Sequence, residues 1–229
     1  MVIKFWFAFK ILRAPKKFIT KLKLRRIINT DESVNAHFGA GPFRLKGWLN
    51  FDIIPRAEFY FDAKEKLPFS NEKVDRIFSE HFIEHLTPKE AGFWLSECHR
   101  VLKKGGRIRI STPGLTQLIS QYSGDEKDNK KLRNRHEKRF PSELKEAFSN
   151  VQTVNRAILF NDKLRLWGGH KFIFDEQALE ELLEIYGFEK VSTHAYGESK
   201  DQVFMGLERH AEQEPLIMAE TIQIEAEKI

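Results

Sequence analysis

One cysteine, Cys98, in 229 residues excludes an intrachain disulfide and any CxxC metal site, and a reducing compartment is the natural reading. No apolar run approaches the roughly 18 uninterrupted residues of a membrane span, because Lys4 and Lys10 break the stretch from Met1 to Leu12. Those internal lysines, with no small-residue cleavage site after them, also argue against secretion. The first 30 residues contain no acid. They carry nine cations (Lys4, Lys10, Arg13, Lys16, Lys17, Lys21, Lys23, Arg25 and Arg26), so the net charge of +5 conceals a remainder of 199 residues that sums to −4. Basic charge confined to one end makes nucleic acid a poor partner. The expectation is a cytoplasmic protein, free or peripheral at the inner membrane face. With 41% hydrophobic residues, 20 of the residues being Phe, the chain has enough core for one domain and is not disordered.

Residues 1–30 read as a basic amphipathic helical segment. Phe5, Trp6, Phe7, Phe9, Ile11, Leu12, Phe18, Ile19, Leu22 and Leu24 are interleaved with the cations, the composition of a helix drawn to anionic lipid. A plainer reading stands beside it: the helix packs its apolar face on its own domain, or on a second copy in a homodimer, and leaves its lysines in water.

Residues 31–229 read as one α/β domain. Val34–Gly39, Trp48–Asp52, Glu58–Phe61, Val74–Ser79 and Gly106–Ser111 are short apolar runs bounded by Gly, Pro, Asp or Asn, each a strand by pattern. Thr87-Pro88-Lys89-Glu90 starts a helix, with Thr as N-cap, Pro in the first turn and Glu at the capping-box position. That helix directs Phe93, Trp94, Cys98, Val101 and Leu102 at a core and stops at Lys103-Lys104-Gly105-Gly106. Strand, helix, strand is the unit of a parallel sheet. Residues 116–171 form an insertion whose stretch 120–150 is charged and poor in aliphatics. Asp175 caps a further helix through Leu179, Leu182, Leu183 and Ile185 to Gly187. Glu189–Tyr196 and Leu216–Glu227 then read as an antiparallel pair, with some helix near Phe204–His210 between them.

Phe38-Gly39-Ala40-Gly41-Pro42 after the first strand is a weak signal taken alone, since glycine turns have structural uses. The acids that follow strengthen it. Asp52 closes the second strand and Asp62 the third, which sets two carboxylates at the carboxyl edge of the sheet, where open α/β sheets bind ligands. One suits ribose hydroxyls and the other an exocyclic amine, although aspartates also cap turns.

These residues carry a resemblance. HFGAGPFRLKGWLNFDI, followed by FDAKEKLPFSNEKVDRIFSEHFIEHLTPKEAGFWLSECHRVLKKGGRIRISTPGL, resembles the class I S-adenosylmethionine-dependent methyltransferases, in particular a small bacterial group with GxGP and SEHxxEHL motifs. The resemblance is strong over residues 34–115 and looser beyond. It implies a Rossmann-like, seven-stranded, mostly parallel sheet with helices on both faces and an antiparallel C-terminal strand, and S-adenosyl-L-methionine as cofactor. It also implies that Gly39, Ala40 and Gly41 pass beneath the methionyl part, Asp52 holds the ribose, Ile53 packs on adenine, and Asp62 with the Ala63 backbone reads the adenine edge. Ser79 and Glu80 would flank the methyl donor and His81 would face the acceptor. Phe43 replaces the third glycine of the usual GxGxG, and the short link from Gly41 to Asp52 leaves little room for a first helix.

A hydroxyl acceptor benefits from a base near neutrality, which singles out histidine. His81 is the first candidate. His170, after two glycines, is a second, as a substrate contact; His85 is more often a packed or capping residue at such a position. Glu80 and Glu84 can orient either imidazole, and His37, His99, His136, His194 and His210 read as structural. His81 and His85 have i, i+4 spacing, but without a third ligand no metal is expected. The function expected is O-methylation of a glycan, glycolipid or other small molecule, in keeping with envelope polysaccharide biosynthesis near a membrane. The alternatives are a non-catalytic methyltransferase-like scaffold and an NAD-binding Rossmann enzyme, the latter opposed by the lack of GxGxxG.

Overall fold

The computed structural model describes residues 2–27, 33–54, 56–123, 146, 156–165, 169–210 and 217–229. Helix α1 (Val2–Ile27) precedes β1 (Asn35–Phe38), β2 (Leu49–Asp52), β3 (Phe59–Tyr60) and β4 (Val74–Glu80). A 3-10 turn at Ile83–His85 leads into α2 (Pro88–Val101), β5 (Leu102–Pro113) and α3 (Leu115–Ser123). Then come α4 (Arg156–Arg165), α5 (Glu176–Ile185), β6 (Glu189–His194), the single turn α6 (Ile217–Glu220) and β7 (Thr221–Glu227).

The strands form one seven-stranded sheet in the order β3-β2-β1-β4-β5-β7-β6. The first five run parallel, and β7 pairs antiparallel with both β5 and β6. Strand order reverses between the paired strands β1 and β4, the switch point outside whose carboxyl ends such sheets bind ligands. The registers Phe38↔Phe51, Phe38↔Ser79 and Asp52↔Tyr60 bring the carboxyl ends of β1 to β4 into one row.

The phenylalanines explain the core beneath that row. Phe38 stacks on Phe51 at 5.0 Å and meets Trp94 edge-on at 6.0 Å, while Phe69 meets Phe51 at 5.5 Å, geometries that favour aromatic pairs beyond their burial. Helix α2 begins with the reciprocal capping box of Thr87 and Glu90, and buries Ala91, Trp94, Leu95, Cys98 and Val101 at helical spacing. Phe93 turns outward instead of joining the core, and so does Ile185 on α5. Each is an apolar residue at the margin of a buried stripe, where pattern alone does not decide the side. Strand β5 starts directly after α2, because Leu102, which caps the helix, is already extended. Residues 217–220 are helical where a strand was expected, and where helix was expected 204–206 form turns and 207–209 are irregular.

No helix lies between β1 and β2. The link 39–48 is held instead by Asn50, whose Oδ1 accepts from the Leu45 amide at 2.8 Å and whose Nδ2 donates to the carbonyls of Leu45 and Trp48 at 3.1 and 2.9 Å. His37 donates from Nδ1 to the same Oδ1 at 3.1 Å. Burial lowers the His37 pKa from 6.5 to about 4, against smaller opposing effects of Asn50, Glu80 and Asp52. The folded chain therefore refuses a proton that the unfolded chain takes up near pH 6.5. Stability should fall by about 3 kcal/mol as pH drops from 6.5 to 4; urea midpoints at those pH values check this, and His37→Gln should flatten the slope.

The C-terminal half of α1 covers the edge strand β3. Thr20 Oγ1 accepts from the Tyr60 amide at 2.9 Å, Leu24 is 1% exposed within the main core, and Lys17 pairs with Glu65. A short edge strand capped by a helix is protected from pairing with another chain. The opposite face keeps Phe18, Ile19 and Leu22 in solvent.

Candidate active site

The glycine turn sits at the head of the row of strand ends. Gly39 adopts φ +73°, and a Cβ there would lie 2.6 Å from Phe82 Cβ, so only glycine fits. Gly41 also has positive φ, and nothing lies within 4 Å of where its Cβ would be. The space above the turn is open. Asp52 ties the turn to the end of β2: its Oδ2 accepts from the Gly41 amide at 2.7 Å and its Oδ1 from the Ile54 amide at 2.9 Å. Ile53 is 40% exposed beside it. Ala40 donates to the Phe51 carbonyl at 3.1 Å. At the end of β3, Asp62 and Ala63 are buried, with Asp62 Oδ1 accepting from the Lys64 amide at 3.1 Å. Ser79, at the end of β4 next to β1, is fully buried and its Oγ has no protein hydrogen-bond partner. The expected cofactor residues thus share one edge, with open space beside Gly41 and, at the neighbouring end of β4, a buried hydroxyl without a hydrogen-bond partner.

His81 follows immediately, with φ +50°. A non-glycine residue held in the left-handed region just past the end of β4 carries a conformational cost of order 1–3 kcal/mol that the surroundings sustain. Its Nδ1 lies 3.4 Å from Glu84 Oε1 and its Nε2 3.5 Å from Thr221 Oγ1. Glu84 has no exposure and accepts from Thr112 Oγ1 at 3.0 Å. Burial alone would lower the His81 pKa, but the hydrogen bond and charge of Glu84, helped by Glu80 and Glu220, raise it. Burial would raise that of Glu84, and the neighbouring His81, His85 and His170 bring it down to about 2. An anionic Glu84 and a tautomer of His81 protonated at Nδ1 are the consequence.

Glu80, expected to flank the methyl donor, is engaged by protein. Its oxygens accept from the amides of Arg209 (2.9 Å) and His210 (3.1 Å) and from Tyr196 Oη (3.2 Å), and His210 Nδ1 lies 2.9 Å away. His210, expected to be merely structural, packs its ring 4.6 Å from that of His81 and 4.6 Å from Phe43. Phe43, standing where a third glycine is usual, thus makes a ring contact with His210. Arg109, fully buried in β5, fixes the same segment. It donates to Glu208 Oε1 and Glu225 Oε1, each at 2.7 Å, and to the Glu198 carbonyl at 2.9 Å. His170 does not join His81; its ring lies 5.0 Å from that of His85. His136 lies outside the described residues, as does most of the insertion.

Residues 54–110 match the family model described as a methyltransferase domain. A search of the curated proteins finds no match. Among solved structures, the chain is similar to a SAM-dependent methyltransferase from Archaeoglobus fulgidus, at 19% identity over 93% of this chain and 94% of that one, with a TM-score of 0.49. A S-adenosylmethionine-dependent methyltransferase from Mesorhizobium loti is similar at 10% identity over 91% and 98%, TM-score 0.48. Phosphoethanolamine N-methyltransferase 2 of Haemonchus contortus, in complex with S-adenosyl-L-methionine, is similar at 14% identity over 91% of this chain and 52% of that one, TM-score 0.44. The match over residues 54–110 takes in β3, β4, α2 and most of β5, part of the parallel half of the sheet ordered β3-β2-β1-β4-β5-β7-β6, and over that span the chain is similar to a methyltransferase domain.

Proposed function

We propose that the protein transfers a methyl group from S-adenosylmethionine to a hydroxyl of a glycan, glycolipid or other small molecule, with His81 as the base. The observation that carries this reading is the pairing of His81 with buried Glu84 at the end of β4. A carboxylate at Nδ1 orients the imidazole so that Nε2 is the atom available to take a proton, and it stabilises the imidazolium that results. Glu84 acts through His81 and is a positioning residue.

In this reading Gly39, Ala40 and Gly41 run beneath the methionyl part, and Asp52 accepts hydrogen bonds from the ribose while its carboxylate anchors the Gly41 amide. Ile53 covers adenine, and Asp62 with the Ala63 backbone meets the adenine edge. Ser79 Oγ supplies the unpaired hydroxyl. Glu80 contributes by holding His210 against the site rather than by touching the donor. The bound cofactor supplies an electrophilic methyl on a sulfonium; the chain supplies orientation, a dry aromatic surround and a proton acceptor.

Asp52→Ala should weaken S-adenosylmethionine binding by roughly 1.5 to 3 kcal/mol, about 10- to 150-fold, the range for charge-assisted hydrogen bonds. Calorimetry measures the affinity, and unchanged affinity with a collapsed melting temperature would make Asp52 a structural cap. The reaction itself is tested with labelled cofactor on a panel of sugars, lipid-linked sugars and small alcohols. Label on a nitrogen or carbon acceptor alone would sink the O-methylation reading, and none on any acceptor would favour a binding scaffold.

The exposed Phe18, Ile19 and Leu22 on a helix rich in cations support a second part of the proposal, docking at an anionic membrane face. Phe18→Ser combined with Leu22→Ser should abolish sedimentation with anionic liposomes and leave the fold intact, because neither side chain is buried. Raised salt should release the native chain. Sedimentation unaffected by either change would remove the membrane from the account.

A further inference from the structure

The 3-10 turn after β4 gathers a second set of side chains next to His81, sharing Glu84 with it. His85 directs Nδ1 at the Gly169 carbonyl, 2.9 Å away, and His170 directs Nδ1 at the Lys163 carbonyl, 2.8 Å away. A carbonyl can only accept, so both Nδ1 atoms carry the ring proton, and in the neutral rings both Nε2 atoms carry a lone pair. The backbone reinforces the approach: the amides of Lys171 and Phe172 donate to the Glu84 carbonyl at 2.8 and 3.3 Å. Ligand atoms of Glu84, His85 and His170 all lie within 4.8 Å of one another. Glu84 adds a fully buried carboxylate whose Oε1 has no hydrogen bond of ordinary geometry.

Two imidazole lone pairs and a carboxylate are all acceptors. Brought within 4.8 Å of one another, two half-buried rings and a fully buried carboxylate call for a proton or a cation between them. The outer hydrogen bonds favour the cation. A histidine that ligates a metal characteristically gives its other N–H to a carbonyl or carboxylate, which fixes the tautomer and aims the free nitrogen, and both rings here are held in that way by carbonyls. Two nitrogens and one oxygen suit a borderline ion such as zinc or iron(II) over magnesium or calcium, which take oxygen ligands.

We propose that Glu84, His85 and His170 form a binding site for a divalent transition-metal ion, a three-ligand set that leaves coordination positions open. Sequence spacing suggests His81 and His85 as the pair; the fold replaces His81 with His170, which arrives from the far side of the insertion. A bound ion would staple the returning segment 169–172 to the end of β4. In a tetrahedral site with bonds of about 2.0–2.1 Å, ligand atoms stand about 3.3 Å apart, so small rotations of the three side chains close the set. The inference does not depend on methyl transfer and can be tested without it.

The full chain, stripped with a chelator, is titrated with zinc against a chromophoric competitor at pH 7.5, and in parallel with cobalt(II), whose visible absorption reports its coordination. One equivalent should bind the native chain. His85→Ala and His170→Ala should each weaken zinc by at least 10- to 100-fold and abolish the cobalt spectrum, while His99→Ala, a control on α2, should bind as the native chain does. Zinc should also raise the urea midpoint of the native chain and not that of His170→Ala. Urea curves taken in chelator establish that each variant is folded, and His170→Asn serves where the alanine variant is not. Failure of the native chain to bind either metal, or affinity equal in native, His85→Ala and His170→Ala chains, would overturn the proposal and leave a proton shared with Glu84 as the link.

Discussion

Replacing His81 by alanine should lower turnover by about 100- to 10,000-fold while leaving the Kd for S-adenosylmethionine within about twofold, the pattern for loss of a positioned base. The separation of the two effects follows from the geometry. His81 lies beyond the last residue of β4 and shares no hydrogen bond with the glycine turn or Asp52, whereas its Nδ1 faces Glu84 and its ring faces His210. Alanine inherits the φ of +50°, a conformation it accepts somewhat less readily than histidine, so melting temperatures are read beside the kinetics. Single-turnover kinetics with saturating cofactor separate chemistry from binding. Glu84→Gln should give a smaller loss in the same kinetic parameter, since the amide still occupies the space but no longer stabilises the imidazolium. If His81→Ala retains turnover on a hydroxyl acceptor, the base is elsewhere and the Glu84 contact is structural.

The second large effect concerns stability. Arg109→Leu should cost about 3–5 kcal/mol, because it leaves two buried carboxylates, Glu208 and Glu225, without their shared cation. Both glutamates are 5% exposed or less and each sits 2.7 Å from the guanidinium; Ser111 Oγ donates to the same Glu208 oxygen at 2.7 Å. Arg107, 3.2 Å from Glu225, offsets only part of that loss. Replacing all three charges together, with Glu208→Gln and Glu225→Gln added to Arg109→Leu, should recover much of the stability, since the penalty belongs to unpaired charge rather than to the lost bridge. Urea midpoints at constant slope measure both variants. A near-neutral Arg109→Leu would mean that water reaches the two carboxylates.

How much could be read in advance depends on sequence distance. The first four strands, the capping box of Thr87 and Glu90, the Asp175 cap on Ala178 and the nearness of the glycine turn to Asp52 are local patterns, set by residues within about a dozen positions, and they stand close to where the residues place them. Sheet topology was legible through a resemblance, because parallel order is not written in any single strand. Side chains that meet across the fold were not legible. Glu80 and His210 are 130 residues apart and Arg109 and Glu225 116. An arginine inside a strand reads as a solvent-facing alternation until its partners arrive. His210 carries no local mark of its role. Its position depends on the backbone amides that Glu80 holds, and these belong to a segment of turns without periodicity. His170 differs again. The two glycines before it did signal a loop that approaches something, but the something is His85.

The central claim is that the cleft above Gly39–Gly41, between the ends of β1 and β4, holds S-adenosylmethionine. Calorimetric titration of the native chain with S-adenosylmethionine, S-adenosylhomocysteine and NAD tests it most directly. The account predicts one equivalent of each adenosyl ligand bound, with affinity lost in Asp52→Ala, and no binding of NAD. Binding of NAD with none of either adenosyl ligand would contradict it.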